Sequence, residues 1–207
     1  MISIQKLFKS YLFYMMSAFG ISLTIKASIG VSSFNSMNLA FSSAFGIKVG
    51  TMTMGINLVF LLIYMSLTRF KYKHKYTIQL VSFILFGSFI NFFTYTVLGD
   101  LVIGHYGLRL LTVALGTVIG GVAIGMIISY NTITFPIESV CVELEKKTKA
   151  SFAFFRYGVD VFSVGVSLFI SMLYSLPLYV REGTLISLLI FTFTMNAVKS
   201  KFNEKLA

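Results

Sequence analysis

Arg156 and Asp160 stand four residues apart near the start of a long apolar run, and they are the pair in this sequence best placed to do chemistry. Helical spacing puts both on one face, where they read as an i,i+4 ion pair. A carboxylate at membrane depth is costly unless it is paired. Asp160 is therefore either half of a structural pair or a proton-coupling or substrate-binding group. Two more polar groups stand at breaks between apolar runs. Ser32-Ser33-Phe34-Asn35 looks like a helix start, with Ser32 as N-cap and Asn35 at N3. Its counterpart is Thr132-Ile133-Thr134-Phe135-Pro136-Ile137-Glu138. Pro136 suits the first helical position, which needs no backbone donor, and Glu138 falls in the first turn. Free N–H groups at such starts bind anions when they lie at membrane depth; otherwise the segments merely begin interfacial helices. Ser33, Asn35, Pro136, Glu138, Arg156 and Asp160 are thus the candidate substrate-binding residues.

Other kinds of chemistry find no support. There is no nucleophile–base arrangement, no phosphate loop and no His-Glu-x-x-His, so no catalytic residue is expected and the chain does not read as an enzyme. Cys141 is the one cysteine, which excludes an internal disulfide and a Cys-based zinc site. His74 lies in a Lys-rich loop and His105 in a short connection, neither with a second ligand at helical spacing. Neither a metal nor a cofactor is expected.

The elements that must position these groups are apolar helices. Of 207 residues, 57 % are hydrophobic and 12 % charged. That leaves too little polar surface for a water-facing domain and points to an all-α, polytopic membrane protein forming one domain over 1–207. At about 20 residues per crossing, about six spans are expected: 12–29, 50–67, 78–98, 108–130, 152–173 and a short last one over 184–198. Two segments between spans are too polar to cross: Met37 to Phe45, weakly amphipathic, and a helix of about four turns carrying Ile137, Val140, Cys141 and Leu144 on one stripe. The fourth span contains Gly116-x-x-x-Gly120 and Gly121-x-x-x-Gly125, a spacing that lets helix backbones approach closely in lipid. Those faces also make a homodimer an expectation.

Lys and Arg number 17 against 7 Asp and Glu, for a net charge of +10. The basic residues cluster between apolar runs, which fits membrane orientation and anionic lipid headgroups rather than nucleic acid. Lys6, Lys9, Arg69, Lys71, Lys73, Lys75, Lys146, Lys147, Lys149, Lys199, Lys201 and Lys205 fall on one side if there are six spans. The positive-inside rule then places both termini in the cytoplasm.

The two halves, about 1–103 and 104–207, read alike: a span, a polar break, a short amphipathic segment, two more spans. An offset of 103 residues aligns Ser33 with Pro136, Asn35 with Glu138, Gly55 with Gly158 and Asn57 with Asp160. Three spans per half is odd, so the second half must enter the membrane from the opposite side. Inverted repeats of this kind recur in secondary transporters.

At these motifs the chain resembles the YczE/YyaS/YitT-like family of bacterial integral membrane proteins. Gly20 with the run Gly30-Val31-Ser32-Ser33-Phe34-Asn35 is similar to that family's first-half pattern of Gly, Pro, an aromatic and Asp. Gly46-x-x-x-Gly50-Thr51 is similar to its following turn, and Pro136-Ile137-Glu138 to its repeated Pro-x-Asp element. Lys147-Thr148-Lys149, Arg156 and Gly183-Thr184 also fall where the family places like residues. Ser33 stands for the first Pro, Asn35 and Glu138 for the acids, and Ile133 for the second glycine. The resemblance implies a multi-pass protein of the bacterial plasma membrane and carries no catalytic residue over. The expected function is a small transporter or permease-like protein for an unidentified small molecule, an anion among the candidates. The alternatives are a non-transporting accessory or regulatory protein, or the substrate-binding subunit of an ATP-driven uptake system.

Overall fold

The computed structural model describes residues 4–130 and 134–204, and all its regular structure there is helical. Thr132, Ile133 and Lys205 lie outside the described residues, as does the side chain of Lys199. In chain order the helices are α1 (Ile4–Ala27), α2 (Ser33–Phe45), α3 (Val49–Leu67), α4 (Lys73–Phe92), α5 (Tyr106–Tyr130), α6 (Pro136–Lys147), α7 (Phe152–Leu173) and α8 (Glu182–Glu204). A π-helical turn, Phe93–Val97, extends α4.

Among the described residues, five segments are long and apolar enough to cross a membrane: Val49–Leu67, Lys73–Val97, Tyr106–Tyr130, Phe152–Leu173 and Glu182–Phe202. This is the make-up of a multi-pass helical membrane protein. The last helix has 23 residues, so it is a full-length candidate rather than the short span expected from 184–198. The first expected span is not among the five. α1 has 24 residues, long enough to cross, but Ser10, Ser17, Ser22 and Thr24 make it less apolar. All four are buried, because α1 lies inside the bundle against α5 and α4. The outward face of the protein is the greasy one: Met172 on α7 and Phe193 on α8 are each 78 % exposed. Polar residues face inward and large apolar ones outward, the reverse of a soluble domain.

Glycines let the helices close on one another. A Cβ on Gly20 of α1 would lie 2.5 Å from the Gly116 carbonyl oxygen of α5, and one on Gly116 would lie 2.6 Å from that of Gly20. The backbones of α1 and α5 therefore touch at this crossing. Gly121 and Gly125 face the other way, against Thr194, Met195 and Val198 of α8. Gly50 of α3 and Gly87 of α4 make a second backbone contact. There Asn91 of α4 has a structural role. Its Oδ1 accepts the Gly50 N–H at 2.8 Å and its Nδ2 donates to Thr51 at 2.9 Å, which caps α3. The Tyr95 hydroxyl of the π turn accepts the Val49 N–H at 3.1 Å and completes the cap.

The break after α1 is pinned to the turn before α8. Gly30 takes a left-handed φ of 104°. The Gly183 N–H donates to the Ile29 carbonyl at 2.8 Å, and the Thr184 hydroxyl to the Val31 carbonyl at 2.7 Å. Lys26, near the end of α1, donates to the Gly99 carbonyl at 2.8 Å. At the opposite end of the bundle, Lys147 of α6 donates to the Leu67 carbonyl at the end of α3. A cation there suits the negative end of that helix.

Candidate functional site

The site is assembled by a helix that starts inside the protein. Phe135 caps α6, and its ring packs on Tyr14 of α1 and Phe86 of α4, with centroids 4.8 and 5.2 Å apart. From that aromatic nest α6 runs out to the α3–α4 turn, packing Val140 and Leu144 against Leu61, Tyr64 and Phe83. Pro136 occupies the first turn, where its missing N–H costs no bond. Gln79 of α4 holds this start in place. Its Nε2 donates to Ser139 at 2.6 Å and to Thr134 at 3.1 Å, while Thr134 and Ser139 share a 3.0 Å hydrogen bond.

One turn into α6, Glu138 faces Arg156 and Asp160 of α7. The guanidinium and the Asp160 carboxylate form the i,i+4 pair at 2.8 Å, with side chains 31 % and 21 % exposed. Glu138 adds a second carboxyl to the same guanidinium's field: Arg156 feels Glu138 and Asp160 as its two acidic neighbours. No ion pair closer than 4.0 Å links Glu138 to Arg156, and the Glu138 Oε2 is buried with no hydrogen-bond partner. Burial pushes the Glu138 carboxyl up from the usual carboxylate range. Arg156 and a hydrogen bond from the residue's own backbone draw it back down, and Asp160 adds to the rise. Beside it, the Tyr14 hydroxyl is also buried without a partner, and the charge acting on it most strongly is that of Glu138. Cys141, one turn further along α6, is a buried free thiol in the same field.

The structure thus brings Pro136, Glu138, Arg156 and Asp160 together and leaves Ser33 and Asn35 elsewhere. Asn35 donates to Ser32 at 2.9 Å at the start of α2, and Ser36 to the Ser33 carbonyl at 2.7 Å. Among the described residues, no hydrogen bond or ion pair joins either to Glu138, Arg156 or Asp160. Gly116, Gly120, Gly121 and Gly125 lie at helix crossings, away from this cluster. The sequence reading missed Tyr14 and Gln79. Both sit in apolar runs where one more tyrosine or a single glutamine carries no periodic signal, and only the tertiary contact with α6 sets them apart. Among the described residues there is no group of three or more His, Cys, Asp or Glu able to hold a metal ion.

Buried polar atoms without partners are uncommon and ask for an explanation. Here the unpartnered set includes Tyr14 Oη, Gln79 Oε1 and Glu138 Oε2 around the start of α6. Replacing Gln79 by leucine removes the donor that holds Ser139 and Thr134. The expected loss is about 1–2 kcal/mol, read as a fall of a few degrees in the thermal unfolding midpoint in detergent. Gln79→Glu, which keeps the shape and loses the donor, should do no better.

No curated protein and no solved structure was found to match the chain. A family model described as a family of unknown function, DUF6198, matches residues 4–200, and the chain belongs to that family.

Proposed function

We propose that the protein is a small membrane transporter working by alternating access, with its substrate site at Glu138, Arg156 and Asp160. One observation carries the reading: a buried carboxylate oxygen without a partner, at the start of a helix that begins inside the bundle, beside an ion pair. A buried carboxylate oxygen without a partner carries a cost that asks for a use, and intramembrane ionisable groups mark ligand and ion pathways.

Two inverted three-helix repeats belong to the same proposal, with α1 as the sixth span, both termini in the cytoplasm and the bacterial plasma membrane as location. The packing supports it. α2 lies on α7 as α6 lies on α3, α2 meets α3 as α6 meets α7, and α1 packs on α5 about the middle of the arrangement. With the 103-residue offset, Thr53 and Asn57 stand where Arg156 and Asp160 do. They form a neutral version of the same one-turn link, the Asn57 Nδ2 donating to the Thr53 carbonyl at 2.9 Å. The halves differ at one contact. α3 and α4 meet at Gly50 and Gly87, whereas the same offset places Ala153 and Ile190 in α7 and α8, which hardly meet. Kinship with the YczE/YyaS/YitT-like proteins is part of this proposal too and rests on the short motifs alone.

Topology is tested by single cysteines at Lys48 and Lys147 in a chain whose Cys141 is replaced. A membrane-impermeant thiol reagent on intact cells should label position 48 and spare 147. Labelling of both from outside would remove the inverted repeat. The site is tested by thermal unfolding of the purified chain against small molecules of each charge class. At least one class should stabilise the wild type and not Glu138→Gln. Stabilisation by none would favour a non-transporting accessory protein.

A further inference from the structure

The charges at this site decide the sign of what it takes. Two carboxyls, Glu138 and Asp160, share one guanidinium, Arg156. With both acids ionised the cluster carries one net negative charge. Asp160 has its counter-charge at 2.8 Å, so Glu138 is the acid left over. An isolated buried charge is too costly to keep. Glu138 must therefore either hold a proton or face a cation. The other elements packed around it do not change this count. Tyr14 from α1 is a phenol and Gln79 from α4 a neutral amide. α3 holds no charged residue, and Lys75 of α4 faces Lys146 and Glu143 instead; on α6 itself Cys141 is the titratable neighbour, while Glu143, Glu145, Lys146 and Lys147 lie further along the helix. The Arg156 Nη1 is itself buried without a hydrogen-bond partner, but its charge is already balanced by Asp160 at 2.8 Å, so the charge count at the cluster favours a cation over an anion.

A groove of about 530 Å³ lies between α2, α3 and α7, and every side chain lining it is hydrophobic, among them Met37, Phe41, Phe60, Phe155, Val159 and Phe162. Glu138, Arg156 and Asp160 do not line it, but Phe155 and Val159 are the chain neighbours of Arg156 and Asp160 on α7. An aromatic groove on the helix that carries the ion pair suits a cation with an apolar body.

We propose that Glu138 is an exchange group for a monovalent lipophilic organic cation: when empty it holds a proton on Oε2, and it releases that proton when the cation takes its place. One positive charge leaves for each that arrives, so the site stays neutral in both states. The proposal rests on the transport reading above and adds the sign and character of the substrate.

The test uses two ions of one shape and opposite charge, tetraphenylphosphonium and tetraphenylborate, on the purified full chain in detergent. Tetraphenylphosphonium should raise the unfolding midpoint of the wild type by several degrees. Its apparent affinity should rise with pH by up to about tenfold per unit, because it competes with a proton. In weakly buffered solution, binding should release close to one proton per cation. Glu138→Gln should lose the affinity, its pH dependence and the proton release, and tetraphenylborate should do none of these things. Should Glu138→Gln fail to fold, proton release from the wild type decides alone. Equal shifts from both ions, or a shift without proton release, would mean that the apolar groove binds them unaided and would overturn the proposal. Stabilisation by anions alone that is lost in Glu138→Gln would overturn the charge and leave the transport site standing. No Glu138-dependent stabilisation by compounds of any charge class would remove both readings.

Discussion

Arg156→Met should lower the stability of the protein by about 2–3 kcal/mol, and most of that loss should return when Asp160→Asn is added. Breaking a buried ion pair from one side usually costs about 3–5 kcal/mol, because the surviving charge is left without a counter-charge. The side chains here are 31 % and 21 % exposed, so water softens the loss and the lower figure is appropriate. The methionine has nearly the length of the arginine and keeps the packing, which isolates the charge effect. Arg156 pairs with Asp160 at 2.8 Å, while Glu138, in the same field, is neutral in the empty site, so Arg156→Met strands Asp160 alone. Asp160→Asn strands nothing, since Glu138 can give up its proton and take the place of Asp160 beside Arg156, and it should cost under about 1 kcal/mol. The asymmetry between the two single variants is the diagnostic result. Thermal unfolding in detergent of the two single variants and the double variant closes a double-mutant cycle. Equal losses from both single variants would mean that Glu138 does not share the guanidinium, and the charge count at the site would change.

The pair at the centre of this argument is legible in the sequence because it is local: a spacing of four on a helix needs no knowledge of the fold. Pro136 and Glu138 at a helix start are local for the same reason. The meeting of Glu138 with that pair is not local. It depends on α6 starting inside the bundle, which in turn depends on Phe135 packing on Tyr14 and Phe86, and on Gln79 clasping Ser139 across 60 positions of the chain. None of those side chains departs from its apolar surroundings in a way that periodicity detects. Asn91 shows how such a residue is used. A polar residue in an apolar helix marks a buried partner, and here that partner is the exposed N–H of a neighbouring helix start rather than a ligand. The spans were legible except where burial changed the rule. α1 is polar enough to miss the apolar criterion because its serines face protein and not lipid.

Gly116 and Gly120 of α5, alike on the page, should behave very differently when changed to alanine. A Cβ at Gly116 would lie 2.6 Å from the Gly20 carbonyl oxygen, a distance that no real contact reaches, and the obstacle is backbone that cannot turn aside. At Gly120 the nearest atom is the Phe191 ring at 3.8 Å, an ordinary contact. Gly116→Ala should therefore force α1 and α5 apart at a cost of about 2–3 kcal/mol, visible as a fall of several degrees in the unfolding midpoint. Gly120→Ala should lie within about 0.5 kcal/mol of the wild type, since the new methyl fits and the helix loses a flexible residue. Gly20→Ala meets the same obstacle from the other side and should match Gly116→Ala, while the two together should cost less than their sum, because the helices need part only once. Equal losses at Gly116 and Gly120 would place the crossing of α1 and α5 one turn away from where the structure has it. The outcome bears on the transport reading too. In that reading both repeats hinge on this contact, so a variant that parts α1 from α5 without unfolding the chain should change how the site opens while leaving Glu138, Arg156 and Asp160 chemically intact. A loss of cation-dependent proton release in a folded Gly116→Ala protein is the result expected if the crossing holds the two halves in register.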